Sequence, residues 1–153
     1  MAYIQRILPF VGIAALIASC DMSPKSGYGF SLPDGNGEDG KTAFIAHGCL
    51  SCHSVEGLED ERKEQLASEL NIRLGGKTTR IATYGELVTS IINPSHRLAR
   101  GYEKDDVSID GVSKMLVYND VLTVTELSDL VAFLQAQYEL TDYPETTYPP
   151  YSY

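Results

Sequence analysis

Two thiols three residues apart, with an imidazole directly after them, make Cys49-Leu50-Ser51-Cys52-His53 the most chemically loaded stretch of the chain. Thiols at that spacing reach two vinyl groups on one side of a porphyrin, and the next residue then offers an imidazole nitrogen to the iron. The pattern points to covalent attachment of one c-type haem. Other uses of the pair compete with it. A structural zinc site needs four ligands, yet only His47 and His96 remain as histidines and no second cysteine pair exists. A thioredoxin-like redox pair calls for a preceding strand in a βαβ unit, whereas the residues before Cys49 read as a helix. A Cys49–Cys52 disulfide is the remaining alternative.

The third cysteine, Cys20, has a different setting. Arg6 is followed by an apolar run from Ile7 to Ala18 and then by Ser19-Cys20. One positive charge and about a dozen apolar residues are signal-peptide architecture, too short to span a bilayer. Leu16-Ile17-Ala18-Ser19-Cys20 resembles the lipobox of bacterial lipoproteins, which implies a signal over residues 1–19 and a lipid on Cys20. An ordinary secretory peptide is the alternative. Several acyl chains anchor stably where one is marginal. Asp21, by resemblance to enterobacterial lipoproteins, implies the periplasmic face of the cytoplasmic membrane, with the outer membrane as the other address. Lipid on Cys20 and haem on Cys49 and Cys52 would use all three thiols without a disulfide.

Formal net charge is −9, from 12 basic and 21 acidic residues. Arg6 is the only charge before Cys20, so processing leaves 11 basic residues and a charge of −10. Such acidity argues against nucleic acid and against charge-driven docking on anionic lipid. It favours redox partner proteins that present a basic docking face, or serves solubility alone.

These groups must be positioned by short elements. Residues 20–39 are rich in Ser, Pro and Gly without a period of 2 or 3.6, a tether spanning on the order of 25 Å. Residues 40–48 read as a helix stopped by Gly48, and residues 60–70 as a surface helix. Tyr84 to Ile92 forms another, ended by Asn93-Pro94. Thr123 and Glu126 form a capping box, after which Leu127, Leu130, Val131, Leu134 and Tyr138 share one helical face, widened by Phe133 and Ala136. Residues 97–122 read mainly as loop, with a small β-hairpin at 107–113 turning on Asp110-Gly111. The expectation is an all-α domain over residues 40–140, of about four short helices. A Tyr- and Pro-rich tail at 141–153 follows, which either packs along the domain or binds a partner, with a disordered terminus as the alternative.

This order of motifs resembles the class I, mitochondrial-type c-type cytochromes. The resemblance covers Gly40 to Tyr138 and rests on Gly40-Lys-x-x-Phe44, Cys49-Leu-Ser-Cys-His53, Ile92-Asn93-Pro94, Met115, and Glu126-Leu-Ser-Asp-Leu-Val-Ala-Phe-Leu134. It implies a cytochrome c fold around one haem, with Gly40 and Phe44 against Phe133 or Leu134 where the first and last helices cross. It also implies iron held by His53 and Met115. Only Met22 and Met115 remain after processing, and Met115 lies in a loop before the last helix, the family's setting for its distal ligand. Filling a gap in the core is the alternative use of a lone Met, and His96 is the reserve ligand. A thioether in the sixth position raises the potential and closes the iron to small molecules.

Two departures from the family pattern bear on the site. Met115 is followed by Leu116 rather than proline, and no proline lies between Cys52 and Pro94. The family often orients the proximal imidazole with a proline carbonyl after the haem motif, so His53 needs another backbone carbonyl. Arg73, Arg80, Arg97, Tyr84 and Tyr102 are candidate donors to the haem propionates. The function expected is electron transfer without substrate turnover. The rival readings are a haem subunit of a larger oxidoreductase and, if the sixth site opens, a haem-based gas sensor.

Overall fold

A computed structural model describes residues 30–65, 68–80 and 82–141. The expected signal segment, Cys20, the first part of the tether and the tail from residue 142 onward lie outside the described residues. No helix among the described residues is long and apolar enough to cross a membrane.

The described residues fold as five α-helices with three small two-stranded sheets. Helix α1 is Gly37–Ala46, three residues earlier than the sequence pattern suggests. Asn36 supplies the cap, its Oδ1 accepting from the Glu38 N–H at 2.9 Å. The Asn36 N–H in turn donates to Asp129 Oδ1 at 2.7 Å, which ties the start of α1 to the last helix. Gly48, in the left-handed region at φ 70°, turns the chain out of the helix.

Helix α5, Val124–Gln135, begins at the expected capping box of Thr123 and Glu126. It crosses α1 at Gly40, where a Cβ would lie 2.0 Å from the Asp129 carbonyl oxygen. The backbones can therefore approach only because residue 40 has no side chain. Phe44 then meets Phe133 with ring centroids 5.6 Å apart, as the sequence resemblance implies. Leu127, Leu130, Val131, Phe133 and Leu134 are all buried, Val131 completely.

The short middle helices frame this pair. Helix α2, Glu59–Glu64, carries three acids in its first turn and Arg62 and Lys63 in its last, an order that suits the helix dipole. It is shorter than the expected 60–70 because the chain is extended again at Gln65, whose Nε2 donates to the Ile45 carbonyl at 2.8 Å. Helix α3 has the expected bounds, Tyr84–Ile92, and buries Leu87, Val88 and Ile91. Its capping box joins Thr83 and Glu86, and Glu86 also accepts from Arg80 and from Arg97. The capping bond from Thr83, followed by these guanidinium contacts, pulls the Glu86 carboxyl down from 4.5 to about 2. Its contribution to stability is therefore complete above about pH 4.5 and lost as pH falls through about 2. In thermal melts the gap between the native protein and Glu86→Gln should narrow steadily across that window, and added salt should shrink it.

The stretch 97–122, expected to be mainly loop with a small hairpin at 107–113, holds that hairpin and, beyond expectation, one short helix. It contains helix α4, Lys104–Val107, and the hairpin of β4, Ser108–Ile109, with β5, Val112–Ser113. Asp110 and Gly111 turn the hairpin with φ of 51° and 82°, the paired positive angles a two-residue turn requires. Tyr138 departs from the helical stripe expected of it. The last helix ends first, and Tyr138–Leu140 is a strand, β6, pairing in parallel with β3, Gly76–Thr78. The Gly76 N–H donates to the Gln137 carbonyl at 2.8 Å, and the cross-chain pairing replaces the next helical turn.

Candidate functional site

From Gly48 the chain makes a 3-10 turn, Cys49–Ser51, that drives Leu50 into the core with no exposed surface. The turn is closed by the Ser51 hydroxyl and N–H, both donating to the Gly48 carbonyl at 2.8 and 3.0 Å. Burying Leu50 leaves Cys49, Cys52 and His53 together in the wall of a crevice. Cys49 and Cys52 are free thiols. Burial is the main cause that pushes the Cys49 thiol up to about 11, whereas a thioredoxin-like pair works through a thiol of lowered pKa.

The strand β1, His53–Ser54, pairs in parallel with β2, Ile72–Arg73. The Ile72 N–H donates to the Cys52 carbonyl at 2.8 Å, and the Leu74 N–H to the Ser54 carbonyl at 2.9 Å. That register sets the Ile72 carbonyl 3.2 Å from His53 Nδ1. A proton on Nδ1 donates to Ile72 and leaves Nε2 with a lone pair for a metal. Ile72 thus supplies the acceptor that no proline in this stretch provides. Burial lowers the His53 pKa, opposed by the Ile72 bond, and so favours the neutral imidazole that ligation requires.

The crevice has two lobes of about 220 and 170 Å³. His53, Met115, Cys49, Leu74, Ser90 and Tyr118 line both, so the lobes share their walls. Residues far apart in sequence thereby meet at one cleft. The second lobe is otherwise walled chiefly by core side chains such as Phe44, Leu87, Ile91 and Leu130. His47, which caps the C-terminal end of α1, also lines this lobe, with Nε2 3.3 Å from Glu126 Oε1.

Of the five candidate propionate donors, only Arg97 lines either lobe. Arg80 is held by Glu86, Arg73 lies 3.6 Å from Glu56, and the Tyr102 hydroxyl accepts from the Arg73 N–H. The Tyr84 hydroxyl is buried and has no hydrogen-bond partner among the described residues. His96, the reserve ligand, is exposed on a 3-10 turn and lines neither lobe. Among the described residues no group of three or more His, Cys, Asp or Glu is placed to hold a metal ion, so the zinc alternative lacks its ligand set. Sequence reasoning missed Tyr118 and Lys114 as crevice residues. Their proximity to Met115 was the available signal.

A half-buried imidazole whose burial favours the neutral form and two neighbouring thiols, in the wall of a largely apolar cleft that Met115 also lines, fit a covalently bound porphyrin. A helical shell holding such a site defines a c-type haem protein. The family model described as Cytochrome c matches residues 37–137, more than half the chain, and the protein belongs to the cytochrome c family. No curated protein and no solved structure matches the chain significantly. Members of this family bind c-type haem covalently, and Cys49 and Cys52 have the required spacing within the matched region. The membership assigns haem-based electron transfer with redox partners.

Proposed function

We propose that the protein is a lipid-anchored carrier of single electrons, with one haem attached through Cys49 and Cys52 and with His53 and Met115 as axial ligands. The observation that carries this reading is that His53 and Met115, on separate elements, line both lobes of one crevice. Bound haem supplies the Fe(III)/Fe(II) couple. The protein's own contribution is to orient His53 through the Ile72 carbonyl, to close the sixth position with Met115, and to keep water out with core side chains. No turnover of a substrate belongs to this reading.

The lipobox-like residues 16–20 support a tether from Cys20 on the periplasmic face of the cytoplasmic membrane. Leu116 and Val117, which follow Met115 directly, are 69% and 64% exposed and support apolar contact with a partner. The acidic balance of the chain favours a basic one.

Optical spectroscopy on membrane and soluble fractions tests the reading. The haem spectrum should follow the membrane fraction and move to the soluble fraction in Cys20→Ser. The reduced native protein should be unchanged under carbon monoxide. Ready binding of that gas would show an open sixth position and replace the carrier with a sensor.

A further inference from the structure

Met115 sits in a loop whose outer residues hold it weakly. Leu116, Val117 and Val121 are 69, 64 and 60% exposed, so they add little burial against the domain. Tyr118 behaves differently. It is half-buried, lines both lobes of the crevice, and donates its hydroxyl to the His47 carbonyl at 3.2 Å. Among the described residues this is the one hydrogen bond that joins residues 116–122 to another element. The same His47 makes an edge-to-face ring contact with Tyr118, with centroids 6.0 Å apart, and presents its Nε2 to Glu126 at the start of α5. His47 also ends α1 two residues before Cys49. One residue on the attachment side thus holds the distal loop at Tyr118 and the start of α5 at Glu126.

We propose that Tyr118 is a positioning residue for Met115, its hydroxyl fastening the distal loop to the His47 carbonyl and setting how often the thioether leaves the iron. The inference rests on the reading of Met115 as the sixth ligand. An outside ligand can bind ferric iron only from the state in which Met115 has withdrawn. Its apparent affinity is therefore its intrinsic affinity multiplied by the population of that state. A hydrogen bond made only with the loop closed lowers that population, and removing it raises the apparent affinity while leaving the bound complex unchanged.

Imidazole titrations of the ferric holoprotein test this, comparing native protein with Tyr118→Phe, which keeps the ring and removes the hydroxyl. Loss of one hydrogen bond of ordinary strength predicts about a fivefold rise in imidazole affinity, with the methionine–iron band still present before titration. Val88→Ala is the control for general destabilisation, since Val88 is buried on α3 and lines neither lobe. It should lower the melting temperature without raising imidazole affinity. An unchanged affinity in Tyr118→Phe overturns the proposal, as does an equal rise in Val88→Ala. Absence of the methionine–iron band from the native protein instead overturns ligation by Met115, which separates the two failures.

Discussion

Replacing Met115 with alanine should abolish the ferric methionine–iron band and lower the reduction potential by more than about 0.1 V, a fraction of the roughly 0.8 V that axial ligands span. The sign follows from the chemistry of sulfur. A soft thioether binds Fe(II) better than Fe(III), so its loss costs the reduced state more than the oxidised one. At about 59 mV for each tenfold difference in a one-electron couple, a fall of 0.1 V corresponds to a preference for the ferrous ion of roughly fiftyfold. Potentiometric titration of native protein and variant measures it directly. The variant should also bind carbon monoxide when reduced, because alanine leaves the sixth position without a protein ligand. Retention of the band in Met115→Ala would show that another methionine gives rise to it, and a native protein without the band would show that a group other than methionine supplies the sixth ligand. His96, exposed and outside both lobes, is badly placed to do so without rearrangement.

Gly40→Ala should be the most destabilising single-methyl change at the crossing of α1 and α5, costing about 3 kcal/mol, at the upper end for an overpacked core. The added carbon would stand 2.0 Å from the Asp129 carbonyl oxygen and 2.8 Å from Phe133 Cβ. The first obstacle is backbone, which cannot rotate aside, so the helices must separate and the Phe44–Phe133 contact must loosen. Alanine gains about 1 kcal/mol in helix propensity over glycine, too little to offset that cost. In a domain of this size the net change should lower the melting temperature by roughly 10–20 °C. Gly37→Ala is the matched control. Its added carbon would be 3.9 Å from the Phe133 backbone, an ordinary contact, and its melting temperature should stay close to the native one. Equal melting of the two variants would show that the crossing yields more easily than this geometry allows.

Much of this architecture is legible in local sequence because local chemistry decides it. Thr123 and Glu126 cap a helix wherever the chain runs on as an amphipathic stripe, and the observed α5 starts where they place it. Asp110-Gly111 turns a hairpin because both residues tolerate positive φ. Asn93-Pro94 ends α3 because the residue before proline avoids helical backbone. Tyr138 shows the limit of such reasoning. It continues the stripe at helical spacing, yet pairing with Gly76–Thr78 takes the chain into a strand, and nothing within a few residues of Tyr138 announces a partner 62 positions earlier.

The attachment segment belongs to the legible part. Cys49, Cys52 and His53 point to haem attachment by residue type and spacing alone, since two thioether links with an imidazole beside them call for that order. The acceptor for His53 belongs to the other part. It is a main-chain carbonyl, a group every residue carries, and only the parallel register of His53 with Ile72 selects it. In the same way, five candidate propionate donors reduce to Arg97 at the crevice only after folding, because surface arginines and tyrosines look alike until their neighbours are known. Covalent and capping chemistry acts over three or four residues and is written in their order. Orientation of the His53 imidazole and assembly of the crevice walls act across elements, so the tertiary contacts decide them.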